Sequence, residues 1–202
     1  MADRRGVVPS RVRGALRERA RFLRSFLDGP GRVGAILPTS QRTVRATLDM
    51  APIAQARCVV ELGAGTGPYT REIVRRLRPD ARLLAFELDP ALARQLAADV
   101  TDPRVQIVAD SAANLEAHLD GRRPEVIVSE LPFTSLPGAV RREILRVAQR
   151  VIADDGVMLV LQYSPFMRKE LERRFRSVRR RLSLFNVPPA VLFACRTPEG
   201  AR

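Results

Sequence analysis

Three polar segments of this 202-residue chain each follow a short apolar run, and together they could bind a nucleoside. The first is the stretch 63–67, Gly-Ala-Gly-Thr-Gly, whose glycines would let the backbone turn sharply and approach a ligand closely. Glu87 follows the second run, where a carboxylate can accept hydrogen bonds from ribose hydroxyls, and Asp110 follows the third, where a carboxylate can receive an adenine amino group. A nicotinamide-binding turn would need its third glycine where Pro68 stands. The ordered set therefore predicts a nucleoside pocket rather than three separate helix caps.

A fourth polar segment, 129–133 (Ser-Glu-Leu-Pro-Phe), follows the next apolar run and contains a further carboxylate, Glu130. The carboxylate of Glu130 cannot donate a hydrogen bond, but it can hold an ammonium group or accept its proton. Tyr163, at the end of the fifth apolar run, is a second candidate for the proton acceptor. Two simpler interpretations stay open: Glu130 contacts only solvent or a cofactor, and Tyr163 only packs at the end of a strand.

A regular alternation of strands and helices must position these segments. We predict strands at 57–62, 81–88, 105–110, 125–130 and 156–163, and helices at 41–50, 70–77, 90–99, 111–119 and 138–152. Near-continuous apolar strands separated by helices are typical of a doubly wound parallel sheet. Two further short strands, within 183–186 and 190–196, are predicted to close the chain as a hairpin. The pocket segments then lie along the carboxyl edge of one sheet.

The net charge of +13 is concentrated in two segments of the chain. Residues 1–32 and 168–182 each carry a net charge of +6, whereas residues 33–167 contain equal numbers of basic and acidic side chains. Basic segments of this kind suit an anionic partner, which could be either a nucleic acid or an anionic membrane surface.

Both basic segments have the periodicity of amphipathic helices. From 11 to 28 and again from 168 to 182, apolar residues recur every three or four positions, so we predict a helix in each segment. The first could pack on its own domain with a solvated basic face, or it could lie in a membrane interface. The arginines predicted to meet the membrane in the second case are Arg13, Arg17, Arg21 and Arg24.

Composition argues against several other kinds of site. Cys58 and Cys195 each lie inside an apolar run, so neither a disulfide framework nor a cysteine zinc site is supported, and we expect no metal. His118 is the single histidine and is interpreted as a surface or packing residue. No apolar stretch approaches the roughly 18 residues that span a bilayer. We therefore expect a cytoplasmic protein, free or bound to a membrane from the cytosolic side.

The nucleoside-pocket motifs resemble a known family. Residues 61–67 (Glu-Leu-Gly-Ala-Gly-Thr-Gly), Glu87 and Asp110 resemble the S-adenosylmethionine site of class I methyltransferases, and the likeness covers roughly residues 57–196. The resemblance implies a Rossmann-like α/β fold with a seven-stranded, mostly parallel sheet, helices on both faces and a C-terminal antiparallel hairpin. It also implies S-adenosyl-L-methionine as the cofactor.

The same resemblance implies a role for each matching residue. Gly63 and Gly65 would pass under the methionine part of the cofactor, and Glu61 would lie near its amino end. Glu87 would hold the ribose, and Asp110 would meet the adenine edge. The remaining cofactor contacts that we expect are Ala64, Leu88, Ser111 and Glu130.

The fourth segment is similar to the Asn/Asp/Ser-x-Pro-aromatic motif of enzymes that methylate nitrogen. In those enzymes the first side chain and the following backbone carbonyl hold an amine, and the aromatic ring packs on it. Glu130 takes the polar position here, which favours a cationic amine over a planar nucleobase. The resemblance implies three substrate contacts, namely Leu131, Pro132 and Phe133.

Three longer stretches resemble bacterial phospholipid N-methyltransferases. They are 22–40, with Phe-Leu-Arg-Ser-Phe-Leu leading to Val-Gly-Ala-Ile-Leu-Pro-Thr-Ser; 129–137; and 185–190, Phe-Asn-Val-Pro-Pro-Ala. Soluble members of that family methylate phosphatidylethanolamine up to three times, giving phosphatidylcholine, and bind anionic membranes through a basic N-terminal helix. The resemblance implies one methyltransferase domain over 1–202, with 1–32 as a basic helical extension at the inner face of the cell membrane.

A nucleic-acid adenine N6-methyltransferase, similar to the ribosomal-RNA dimethyltransferases, is the alternative. Those enzymes share the pocket and the x-x-Pro-Phe turn, and the charge of +13 suits RNA equally well. The chain contains no tryptophan, however, and few aromatic residues that could stack on a flipped base. The sequence thus favours the lipid over the nucleic acid.

Overall fold

The computed structural model describes residues 39–186 and 188–197. The predicted basic helix at 11–28 lies outside these residues, together with its arginines Arg13, Arg17, Arg21 and Arg24. Within the described ranges, none of the helices is both long enough and apolar enough to cross a bilayer.

Seven strands form one sheet. The strands are β1 (Cys58–Leu62), β2 (Arg82–Phe86), β3 (Val105–Val108), β4 (Val126–Ser129), β5 (Val157–Gln162), β6 (Ser177–Ser183) and β7 (Ala190–Arg196). Their order across the sheet is β3-β2-β1-β4-β5-β7-β6. The first five are parallel to one another, and β7 runs antiparallel to both β5 and β6. The predicted class I methyltransferase architecture, with its C-terminal antiparallel hairpin, is confirmed.

Helices connect the strands close to the predicted positions. The α-helices are α1 (Gln41–Leu48), α2 (Pro68–Arg76), α3 (Pro90–Asp99), α4 (Gly138–Val151) and α5 (Arg168–Arg174), and short 3-10 helices lie at Ile53–Gln55, Ala112–His118 and Pro165–Met167. Local signals explain two of the starts. The Ser40 hydroxyl accepts the backbone N–H of Thr43 and caps α1. The Asp89 carboxylate caps α3, whose first residue is Pro90.

Both faces of the central strands β1, β4 and β5 are covered, which explains why these strands are apolar at nearly every position. In β1, Val59 lies on one face and Val60 and Leu62 on the other, and all three are fully buried. Val59 belongs to a core cluster with side chains of α1 and α2, including Val44, Leu48 and Ile73. This packing fixes the strand ends on which the polar segments lie.

The prediction of one helix over 168–182 is wrong in its second half. The helix α5 ends at Arg174, and the chain then forms β6, whose residues pair with β7 from Ser177↔Arg196 to Ser183↔Ala190. The outer strand of the terminal hairpin therefore begins before the predicted segment 183–186 and ends at its first residue. The apolar residues have helical spacing, but the hydrogen bonds and side-chain pairs that β7 supplies favour a strand in this segment.

The predicted helix at 111–119 is a 3-10 helix, Ala112–His118, rather than an α-helix. Its start is held by side chains, because the Ser111 hydroxyl accepts the backbone N–H of Ala113 and Asp110 accepts the side-chain amide of Asn114. Local side-chain bonds of this kind compete with the α-helical backbone pattern.

Candidate active site

The carboxyl edge of the parallel strands brings the polar segments together. The N–H groups of Gly63 and Ala64 both donate to the carbonyl of Phe86 at 2.9 Å, which ties the turn after β1 to the end of β2. The Glu130 N–H donates to the carbonyl of Leu62 at 3.2 Å, which ties the turn after β4 to the end of β1. The segments predicted to form one pocket are thus neighbours along this edge.

The glycine turn after β1 needs glycine for two different reasons. Gly63 has φ of 84°, and a Cβ atom there would lie 2.9 Å from the Leu131 side chain, so the two turns touch at this point. Gly65 has φ of 53°, but no atom lies within 4 Å of the place its Cβ would take. The backbone at Gly65 is therefore open to a ligand.

Glu61 is a fully buried carboxylate at the end of β1. Its Oε2 accepts the Thr70 hydroxyl at 2.7 Å, whereas Oε1 has no hydrogen-bond partner among the described residues. Burial, opposed by the Thr70 hydrogen bond and helped by the nearby charges of Glu130 and Glu87, raises the Glu61 pKa to about 8. An unpaired buried carboxylate oxygen fits the amino group that the methionine part of the expected cofactor carries.

Glu87 joins the end of β2 to the glycine turn. Its Oε2 accepts the Gly65 N–H and its Oε1 accepts the Asp89 N–H, both at 2.8 Å, and the side chain is buried. Each carboxylate oxygen can accept a second hydrogen bond, so ribose hydroxyls can still donate to it. Leu88 follows and is partly exposed at the same edge.

Asp110 is held by residues of the 3-10 helix that follows it and of the turn before that helix. Its Oδ1 accepts the Ser111 N–H at 2.7 Å and the Asn114 side-chain amide at 2.8 Å, and its Oδ2 lies 2.9 Å from Nε2 of His118. The His118 ring also packs edge-on against Phe86, with 5.4 Å between ring centroids. His118 is thus a packing residue that also orients Asp110, and this contact was not deduced from the sequence.

Glu130 and Leu131 form the turn after β4. The Thr39 hydroxyl donates to Oε1 of Glu130 at 2.9 Å, and burial raises the pKa of this carboxyl to about 7. The Gln162 side-chain amide donates to the Leu131 carbonyl at 2.8 Å. An acid that exchanges its proton near neutral pH therefore lies next to the glycine turn.

Tyr163 joins this group through a hydrogen-bond chain. Its hydroxyl lies 3.4 Å from the Thr39 hydroxyl and accepts the Asn186 side-chain amide at 3.1 Å. The Asn186 carbonyl oxygen in turn accepts the Ser40 N–H at 3.1 Å. The structure thus brings both predicted proton acceptors to one place and adds Thr39 and Asn186, which the sequence offered only inside the stretches 22–40 and 185–190.

The three predicted substrate contacts differ in exposure. Leu131 and Pro132 are partly exposed beside Glu130, whereas the Phe133 ring is fully buried. Phe133 contributes its carbonyl, which accepts a guanidinium N–H of Arg141 at 3.2 Å. Its packing holds the turn, and a direct contact with substrate stays a prediction.

The arrangement suits a nucleoside cofactor that carries an amino acid end. Glu61 could hold the amino group, the backbone of Gly65 could pass close to the ligand, and Glu87 could accept the ribose hydroxyls. Glu130 lies on the adjacent turn, where an amine could be held for reaction. No group of three or more metal-ligating side chains occurs among residues 39–186 and 188–197.

Known proteins are similar to this chain in sequence. Residues 59–156 match a family described as a methyltransferase domain. Ornithine lipid N-methyltransferase of Singulisphaera acidiphila is 33% identical over 180 residues, which cover 87% of this chain and 94% of that protein. Ribosomal RNA small subunit methyltransferase H of Ralstonia nicotianae is 47% identical over 58 residues, which cover 29% of this chain and 18% of that protein.

A solved structure agrees with the topology. The N-methyltransferase NodS from Bradyrhizobium japonicum, in complex with S-adenosyl-L-homocysteine, has a TM-score of 0.66 at 14% identity, covering 90% of this chain and 99% of that one. At this identity the likeness shows the fold. The relative that matches nearly end to end and the matching methyltransferase domain establish the family, whose cofactor is S-adenosyl-L-methionine. The chain therefore belongs to the class I S-adenosylmethionine-dependent N-methyltransferases.

Proposed function

We propose that this enzyme methylates the amine of a lipid headgroup at an anionic membrane surface. The observation that carries the proposal is the Glu130 carboxylate, held by Thr39 on the turn that touches Gly63. A carboxylate at this position suits a cationic amine better than a neutral nucleobase. The ornithine lipid N-methyltransferase relative supports a lipid that carries a free amine as the substrate class.

Within that class, we propose phosphatidylethanolamine or its partly methylated derivatives, which would make the enzyme part of phosphatidylcholine synthesis. The phospholipid-type stretches around 129–137 and 185–190 favour this choice. Ornithine lipid is the substrate in the relative's name, so both lipids belong in the assay.

The chemistry divides between cofactor and protein. S-adenosylmethionine supplies a methyl group on a positively charged sulfur, which leaves as a neutral thioether once the nitrogen–carbon bond forms. A lipid amine near pH 7 is mostly protonated and cannot attack until it loses that proton. The Glu130 carboxylate can hold the ammonium group and then accept its proton, either directly or through Thr39 and Tyr163. The protein further accelerates the transfer by aligning the amine with the methyl group and by excluding water.

We also propose that the basic N-terminal segment attaches the enzyme to the cytoplasmic face of the membrane. Each arginine close to an anionic surface contributes about 1 kcal/mol of attraction. The residues proposed for this role are Arg13, Arg17, Arg21 and Arg24.

The decisive test is the identity of the methylated product. We expect that incubation of the enzyme with labelled S-adenosylmethionine will label phosphatidylethanolamine or ornithine lipid in mixed vesicles and leave total RNA unlabelled. RNA methyltransferase activity is the competing outcome, motivated by the short match to the ribosomal-RNA enzyme. Label in RNA and none in lipid would reject the lipid substrate.

The cofactor assignment predicts a large effect at Glu87. Replacing Glu87 with alanine removes the acceptor for the ribose and the anchor of the Gly65 N–H, and loss of hydrogen bonds to a charged group costs about 1.5–3 kcal/mol each. We expect calorimetry to show at least a 100-fold weaker affinity for S-adenosylhomocysteine, which is about 2.7 kcal/mol. Glu116→Ala, which changes an exposed carboxylate, is the matched control. Unchanged affinity in Glu87→Ala would refute the ribose assignment.

A further inference from the structure

Large apolar side chains are exposed at one place in the described part of the chain. The exposed fractions are 84% for Phe166, 59% for Leu182, 70% for Leu184 and 57% for Phe185. We call these four residues the apolar rim. Apolar side chains grouped in this way, rather than scattered singly, mark an interaction surface.

The topology places the apolar rim beside the active site. Gln162 pairs with Val191, and Val191 pairs with Leu182, so Leu182 lies two strand spacings, or about 10 Å, from the end of β5. Phe166 follows that end of β5, and the connection from β6 to β7 begins with Leu184 at the same edge. The Asn186 side chain, in this connection, donates to the Tyr163 hydroxyl. The rim therefore borders the edge that carries Glu130 and Tyr163.

Arginines surround the apolar rim. The Arg42 guanidinium lies 5.2 Å from the centre of the Phe185 ring. Arg180 and Arg181 are exposed on β6 beside Leu182, and no carboxylate of residues 39–186 or 188–197 forms an ion pair with either of them. A surface that combines exposed leucine and phenylalanine with exposed arginine matches the chemistry of an anionic lipid interface.

Two other occupants fit less well. The edge strand β6 could pair with a second copy, but consecutive arginines at 179–181 on a sheet edge oppose association with a like-charged strand. A single-stranded nucleic acid would suit the arginines and Phe185, but Leu182 and Leu184 offer neither a stacking plane nor a hydrogen bond to a base. Aliphatic side chains at this site favour lipid acyl chains.

We propose that the apolar rim enters the interface of an anionic bilayer, with Arg42, Arg180 and Arg181 at the depth of the phosphates. The carboxyl edge of the sheet would then face the membrane, and a headgroup amine could reach Glu130 while its acyl chains stay in the bilayer. The inference rests on the proposed lipid substrate, but it concerns the docking surface, which can be tested without turnover.

The chain contains no tryptophan, so a single introduced indole reports on one position. In full-length Leu184→Trp, vesicles with anionic lipid should shift the tryptophan emission to the blue, and lipids brominated on the acyl chain should quench it. Ala98→Trp, at an exposed position of α3 that packs towards the far end of the sheet, is the matched control and should show neither effect. Equal behaviour of the two variants, or a shift with RNA and none with vesicles, would overturn the proposal.

A second variant tests the energy of the contact. The triple change Phe166→Ser, Leu184→Ser and Phe185→Ser should lower the vesicle partition coefficient on the order of a hundredfold. Its affinity for S-adenosylhomocysteine and its methylation of monomeric short-chain lipid amines should stay at the original level. Undiminished vesicle binding overturns the docking proposal. Absence of lipid methylation by the unaltered enzyme, with quenching of Leu184→Trp intact, rejects the proposed substrate instead.

Discussion

Glu130→Gln is expected to lower the methyl-transfer rate by about 10²–10⁴-fold, the range that general acid–base groups contribute. Glutamine retains the size of the side chain and can accept the Thr39 hydroxyl, so the turn after β4 should keep its shape. It cannot take a proton from the amine, and it carries no charge to hold an ammonium group. The affinity for S-adenosylhomocysteine should change little by comparison.

The pH profile separates a base from a merely structural side chain. Because the Glu130 pKa is raised to about 7, the active carboxylate form increases as the pH rises through neutrality, and so should kcat/KM of the natural enzyme. In Glu130→Gln, kcat/KM should no longer rise in this way near pH 7. Glu116→Gln, at an exposed carboxylate paired with Arg150, should keep both the rate and this rise, which we call the limb near pH 7.

Tyr163 is the competing base, and Tyr163→Phe tests it. This variant removes the hydroxyl that accepts from Asn186 and lies 3.4 Å from Thr39, and it leaves Glu130 in place. If Glu130 is the proton acceptor, Tyr163→Phe should retain the limb near pH 7. A full rate and an unchanged limb in Glu130→Gln, together with loss of both in Tyr163→Phe, would assign the role to Tyr163.

The parallel half of the sheet could be predicted because its signals are local. Apolar runs buried on both faces and a glycine turn at 63–67 need no knowledge of distant residues. Their order along the chain was sufficient to place Glu87, Asp110 and Glu130 at one edge, since parallel strands end together. The caps at Ser40 and Asp89 are local in the same way.

The terminal hairpin shows where local signals are insufficient. The apolar residues Leu171, Phe175, Val178 and Leu182 have helical spacing, yet Val178 and Leu182 belong to β6. A register with β7, formed by residues further along the chain, decides the outcome. The strand β6 also carries Arg180 and Arg181 beside the apolar rim. A helix over the same residues would place these arginines in different directions.

The hydrogen bonds around Glu130 could not be predicted for a related reason. Thr39 and Glu130 are 91 positions apart in the sequence, and Thr39 and Tyr163 are 124 apart. No periodicity connects residues at such separations. The Asp110–His118 contact spans only 8 positions, but it depends on the 3-10 geometry of the segment between them.

Glu61→Gln is expected to produce the second large effect, on stability and cofactor binding together. The folded-state pKa of Glu61 is about 8, whereas the ordinary value is 4.5. Between these values the unfolded chain binds fewer protons than the folded one, so Glu61 lowers the free energy of unfolding as the pH rises from about 4.5 to 8. The loss at pH 8 is on the order of a few kcal/mol, because each pKa unit corresponds to about 1.4 kcal/mol.

Glutamine at position 61 cannot ionise, so the variant does not lose this free energy of unfolding as the pH rises. Urea unfolding should therefore show Glu61→Gln to be more stable than the natural enzyme at pH 8, with the difference shrinking towards pH 4.5. Glu130, whose pKa is also raised, lowers the free energy of unfolding with rising pH to a smaller extent, and it does so in both proteins. The Thr70 hydroxyl can still donate to the amide oxygen, so the local packing should be preserved.

Cofactor binding should change in the opposite direction from stability. The unpaired Oε1 of Glu61 is the group proposed to meet the cofactor's amino group, and a buried amide replaces that charge pair poorly. We expect about a 10- to 100-fold weaker affinity for S-adenosylhomocysteine in Glu61→Gln. The natural enzyme should release a proton on binding at pH 7, seen as a calorimetric enthalpy that depends on the buffer, and the variant should release less. A variant with higher stability at pH 8 but unchanged affinity and proton release would show that Glu61 does not contact the cofactor.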